Sequence, residues 1–207
     1  MDAAQATRIL LLFFIVPLWL AAGIADYLCH RRTDIQHTSG TMESLLHLLM
    51  LAEMGLPVLA ALLLDINALV LAFMAVAFVL HEATALWDVS YATRRRRVTP
   101  FEQHVHSFLE MLPLMGLAFV AVLHAPQALA VFGLGPEPAD WGLRLKSDSL
   151  PLGYVATVLA AVAALELLPY LEETWRCWRA DITTPPEAPP PAGANAGGTA
   201  ARRSGPG

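Results

Sequence analysis

Five stretches of this sequence, 9–28, 45–66, 68–87, 105–123 and 153–171, are each long and apolar enough to cross a bilayer. About 20 mainly apolar residues span the hydrocarbon layer as a helix, and a helix satisfies its own backbone hydrogen bonds there. The pattern predicts an all-α, polytopic membrane helical bundle with five transmembrane helices. Composition agrees: 56% of the residues are hydrophobic and 15% charged, with a mean hydropathy of +0.52, too apolar for an ordinary soluble domain. The second stretch is interrupted by Glu53, Gly55 and Pro57. A kinked helix packed against neighbours accommodates all three. The first reads as a span rather than a cleaved leader, because its basic flank is only Arg8 and Asp26 and His30 follow directly.

Basic residues give the orientation. Arg31, Arg32, Arg94, Arg95, Arg96, Arg97, Arg176, Arg179, Arg202 and Arg203 fall on one side of a five-span chain. Arg8, Arg144 and Lys146 fall on the other. The positive-inside rule then puts the N-terminus outside and the C-terminus in the cytoplasm. Residues 1–180 form the transmembrane helical domain, and 181–207, rich in Pro, Gly and Ala, read as a disordered tail. The connection 125–151 reads as an exterior loop with Trp141 near the interface. A net charge of -5 and the lack of an extended basic stripe exclude a nucleic-acid partner; the bilayer is the implied one. Cys29 and Cys177 match no disulfide or zinc-ribbon spacing.

The polar residues are not scattered. Asp26 and His30 end the first span, while Glu43 and His47 begin the second, followed by Glu53. His81, Glu82 and Asp88 end the third, and Glu102, His104, His106 and Glu110 begin the fourth. All lie on the side assigned to the cytoplasm. Asp26 and His30, Glu43 and His47, Glu102 and His106, and His106 and Glu110 are each four apart, and His81 and Asp88 seven apart, so each pair shares a helix face. A carboxylate one turn from an imidazole either ligates the same metal or holds the ring's second nitrogen. Singly, Asp26, Glu43, Asp88 and Glu102 read as solvated helix caps, and His30 as part of a basic belt beside Arg31 and Arg32.

Convergence points further. A charged residue at mid-helix costs about 2.5–3.5 kcal/mol, so Glu53, His81, Glu82 and Glu110 require compensation from partners, water or metal. The expected ligands are His30, His47, His81, His104 and His106, with Glu43, Glu53, Glu82, Asp88, Glu102 and Glu110 as carboxylate ligands or their supports. Nitrogen and oxygen donors without thiolate suit iron, manganese or zinc, and four helices contributing such pairs enclose one or two metal ions, two irons in the dinuclear case. Haem between two facing histidines is the alternative cofactor, without covalent attachment because no CxxCH is present. A third alternative needs no cofactor: an assembly factor or an ion pathway using the same ionisable residues. Arg94 to Arg97 read as a topology signal, and Glu166 either joins the cluster or pairs with a neighbouring Arg. Oligomeric state is left open.

The runs ADYLCHRRT, ESLLHLLMLAE and HEATALWDVSYATRRRRVTPFEQHVHSFLEMLP resemble a group of small proteobacterial inner-membrane proteins over residues 9–178. That resemblance implies a multi-pass protein of the bacterial inner membrane. Some members carry the transferred name diguanylate cyclase, but GGDEF and GGEEF are both absent here. The arrangement is also similar to that of integral-membrane di-iron hydroxylases and desaturases, whose histidines gather at cytoplasmic helix ends. Those enzymes carry HxxxH and HxxHH boxes, whereas this chain has DYLCH, ESLLH, HEATALWD and EQHVH. The similarity implies a non-haem di-iron oxidoreductase acting on a lipid-soluble substrate.

Overall fold

The computed structural model describes residues 1–147 and 150–183. Its long helices are α1 (Ala3–Arg32), α3 (Gly40–Leu63), α4 (Ala68–Ala92), α5 (Pro100–Leu123) and α7 (Leu152–Asp181), all five long and apolar enough to cross a membrane. The chain is therefore a multi-pass helical membrane protein. Two short helices, α2 (Ile35–Thr38) and α6 (Ala125–Val131), lie in the connections. Among the described residues the β-structure is one isolated bridge, between Leu64 and Leu145. Helix continues to Thr183; the rest of the predicted tail, 184–207, lies outside the described residues.

Three of the five long helices, α1, α4 and α5, start where the sequence supplies a side-chain partner for the unpaired backbone donors of the first turn; α3 and α7, after Ser39 and Pro151, have no such cap. Asp2 accepts from Gln5 N at 2.7 Å, and Asn67 accepts from Val70 N at 3.2 Å. Thr99 and Glu102 form a reciprocal capping box ahead of α5, with Pro100 at its first position. Pro57 sits inside α3, as the interrupted second stretch predicts. The helices outrun the apolar stretches. α1 runs on to Arg32, α4 to Ala92 and α7 to Asp181, while α5 starts at Pro100, so each carries one or more polar turns beyond its apolar run.

The long helices close a ring: α3 packs on α4, α4 on α5, α5 on α1, α1 on α7 and α7 back on α3. Large apolar side chains such as Phe13, Leu56, Val79, Leu86 and Val122 face outward. That surface suits lipid, which needs no polar cover. The interior of the histidine-bearing end is polar instead: Asp26, His30, Glu43, His47, Asp88, Glu102, His106 and Glu173 are all buried.

The 125–151 connection is more ordered than an exterior loop. Its first part is α6, packed on α4. Asp65 N donates to Arg144 O at 3.0 Å and Lys146 N to Leu63 O at 2.9 Å, which ties the segment to the α3–α4 turn. Trp141 stays exposed.

Candidate metal centre

α7 supplies the residue that organises the site. Glu173, fully buried, accepts from His30 Nδ1 at 3.1 Å through one carboxylate oxygen and from His47 Nδ1 at 3.0 Å through the other. A carboxylate is acceptor-only, so both imidazoles carry a proton on Nδ1 and turn Nε2 away from Glu173. The two rings stack at 4.2 Å, 6° from parallel. Neither Nε2 has a hydrogen-bond partner, although both are buried.

Carboxylates stand opposite both Nε2 atoms. His30 Nε2 lies 3.4 Å from Asp26 Oδ1, and His47 Nε2 lies 3.4 Å from Asp88 Oδ1, itself without a partner. His106 Nε2 donates to Asp26 Oδ1 at 3.0 Å, so a metal ion bound there would take the place of that proton. Tyr170 donates to Asp26 Oδ2 at 3.2 Å and fixes that carboxylate's plane. Two ligands each about 2.1 Å from one tetrahedral ion sit about 3.4 Å apart, so these separations suit first-row metal binding. Asp26, His30 and His106 form one buried group able to hold a metal ion, and His30, Glu43 and His47 form another, with His30 common to both.

Glu43 and Glu102 are already engaged. Arg96 Nε donates to Glu43 Oε1 at 3.0 Å, and Arg96 Nη2 to Glu102 Oε1 at 2.6 Å. The second oxygen of Glu102 accepts from Thr99 N at 3.3 Å, and that of Glu43 from Arg96 Nε at 3.3 Å. Glu43 belongs to the second group by distance, yet its lone pairs serve the guanidinium, so Asp88 is the better-placed carboxylate for His47. Burial works against the Arg96 charge, but the hydrogen bonds and charges of Glu43 and Glu102 outweigh it and hold the guanidinium above its ordinary pKa. Arg96 is thus part of the interior, a role that reading the run as a topology signal does not supply.

The remaining predicted residues stand apart from the centre. His104 is exposed and meets Phe108 edge-on at 5.4 Å. His81 is buried with both ring nitrogens unpartnered, and its Nδ1 is 4.0 Å from Glu53. Glu53 accepts from Thr84 Oγ1 at 2.9 Å. Glu82 and Glu110 are half-buried on the adjoining helices α4 and α5. Cys29 and Cys177 are free, buried thiols.

Glu173 and Tyr170 were not singled out by sequence reasoning, and Asp26 was noticed but not placed among the ligands. A signal existed in α7: Glu166, Tyr170 and Glu173 are spaced four and three apart, one polar face on an otherwise apolar span. Glu166 does join the interior. It lies in a π-helical turn (Ala163–Leu167) and packs so closely over Gly23 that a Cβ there would stand 2.6 Å from its carboxyl carbon.

A cavity of about 240 Å³ opens beside the centre. Asp26, His47, Asp88, His106, Glu166 and Tyr170 line its polar end, and Trp19, Leu20, Met50, Met54, Val58 and Leu159 are among the apolar residues of its wall. His81 and Glu110 also lie on that wall. No protein-family model, curated protein or solved structure matches the chain.

Proposed function

We propose that this protein is a membrane metalloprotein with a dinuclear, non-haem iron centre that oxidises a lipid-soluble substrate. One ion belongs with Asp26, His30 and His106, and the other with His47 and Asp88. The observation that carries the reading is the stacked pair His30 and His47, held by Glu173 at Nδ1 so that two buried Nε2 atoms without hydrogen-bond partners face carboxylates 3.4 Å away. Outer-shell carboxylates that fix ring tautomers in this way raise ligand basicity at metal sites. Nitrogen and carboxylate donors suit iron among the redox-active metals.

The apolar cavity ending at these residues supports an apolar substrate, since ligand sites are concave and mostly apolar with a few convergent polar groups. Bound iron supplies oxidative chemistry there. The protein's own residues orient the chain of the substrate, exclude water through the wall from Trp19 to Leu159, and hold a proton at Tyr170 Oη beside Asp26. A haem held between His30 and His47 is disfavoured: axial ligands oppose each other across an iron, and these rings lie side by side. The arginine asymmetry supports a cytoplasmic placement of the centre, in the inner membrane of a bacterium.

The test is metal analysis with an absorption spectrum on detergent-purified protein, comparing the wild type with a His30→Ala, His47→Ala double variant. About two irons per chain, no Soret band and loss of metal in the variant are expected. Equal metal content in both proteins refutes the site, and a Soret band replaces it with haem.

A further inference from the structure

The end of the bundle away from the candidate metal centre holds a second, larger cavity of about 630 Å³. It meets the first at shared wall residues Val16, Trp19, Met54 and Val58. From Arg8 at its mouth to Asp26 at the metal centre is 18 residues of one helix, roughly 27 Å at 1.5 Å per residue. The two cavities therefore run end to end along most of the bundle.

The mouth is built, not incidental. The 140–147 segment folds back over it, held by the Leu64–Leu145 bridge and by Asn67 Nδ2 donating to Gly142 O at 2.7 Å. This places Arg144 and Lys146 on the cavity wall with Arg8 and His124. Lys146 Nζ donates to Ala61 O at 2.7 Å, which fixes the ammonium at the C-terminal end of α3. Asp140 pairs with Arg144, and Asp65 accepts from Ser147 N at 3.3 Å. Burial first, then the positive charges of Lys146 and Arg8, hold His124 below its ordinary pKa, which places both cations close enough to be felt at one imidazole. An electropositive mouth leading into an apolar bore is a shape for a molecule with an anionic head and a long chain.

We propose that the mouth binds the anionic head of a single-chain amphiphile of the fatty-carboxylate class, whose chain threads past Trp19 and Met54 toward the metal centre. This rests on the proposed function for the fate of the chain, but head binding needs no metal. Arg8 and Lys146 hold the head, and Val58 stands at the junction the chain must pass.

Radiolabelled hexadecanoate, binding to the full chain in phosphatidylcholine nanodiscs, tests this. Hexadecanol and hexadecylamine serve as competitors, and metal content is measured on the same samples. Hexadecanoate should bind about tenfold more tightly than either neutral or cationic probe, the worth of one hydrogen-bonded charge. An Arg8→Gln, Lys146→Gln double variant should lose that preference while keeping its metal, and Val58→Trp should weaken hexadecanoate and hexadecanol alike. Equal affinity of wild type for all three probes overturns the proposal without needing any variant. Phosphatidylglycerol displacing hexadecanoate at equal concentration overturns the single-chain assignment in favour of a phospholipid. Metal retained with no carboxylate preference sinks this inference alone; carboxylate preference in metal-free protein sinks only the metal reading.

Discussion

Replacing Glu173 by Gln changes one atom type and little volume, yet it removes a condition on which both histidines depend. Glu173 accepts from two Nδ1–H groups, one at each oxygen. A glutamine offers one carbonyl acceptor and one donating amide, so it holds only one ring in its tautomer. The other ring faces donor against donor, or moves its proton to Nε2 and loses the lone pair a metal needs. Loss of such an outer partner lowers metal affinity about 10- to 100-fold, or about 1.4–2.7 kcal/mol. The effect should fall on one of the two ions. Equilibrium dialysis of detergent-purified protein against buffered iron should show two ions for the wild type and one for Glu173→Gln at a free-iron level that just saturates the wild type. Glu173→Asp keeps two acceptor oxygens and should retain part of the second ion. A Glu173→Gln protein that binds both ions with wild-type affinity refutes the tautomer argument.

Arg96→Met leaves Glu43 and Glu102 as uncompensated buried charges, which costs about 3–5 kcal/mol, and should appear as a large fall in the thermal midpoint by circular dichroism in detergent. His104→Ala should leave metal content and midpoint unchanged, whereas His106→Ala should release the ion shared with Asp26; equal metal loss in both variants contradicts the placement of His104 on the outer face. Gly23→Ala drives a methyl into the Glu166 carboxylate and should cost about 1–3 kcal/mol in the same melt; a neutral effect would show that the Glu166 side chain swings away freely.

The spans were legible because lipid demands a long apolar run and nothing else in the sequence imitates one. Their polar ends were less so: α4 continues as helix to Ala92 and α5 starts at Pro100, where side chains such as Asp88 and Glu102 are buried by neighbouring helices rather than by lipid. Helical spacing placed the pairs Asp26 and His30, Glu43 and His47, and Glu102 and His106 correctly at one end of the bundle. It overreached for His81 and Asp88. Seven residues restore the same face but advance roughly 10 Å along the axis, so Asp88 reaches the centre while His81 stops on the cavity wall. His104 is two residues from His106, about 200° around the helix, and so faces outward when His106 faces in. Glu173 is the hardest case. Its partners are 143 and 126 residues away, and only the closure of α7 between α1 and α3 brings them together.

Charge balance joins these parts. Among the described residues, the histidine-bearing end of the bundle buries the carboxylates of Asp26, Glu43, Asp88, Glu102, Glu166 and Glu173 and one guanidinium, Arg96. With the three imidazoles neutral and all six carboxylates ionised, five negative charges remain in a region where each uncompensated charge costs several kcal/mol. Arg96 accounts for the pair it touches only in part. Two divalent cations would neutralise four of these charges, at the positions where the unpartnered Nε2 atoms of His30 and His47 stand beside Asp26 and Asp88. Protons on the imidazoles are the competing source of positive charge, and they occupy the same Nε2 atoms. Metal and protons would therefore exclude each other at this centre, so metal binding should release protons and strengthen as pH rises, and isotherms against buffered iron that do not move with pH would contradict it.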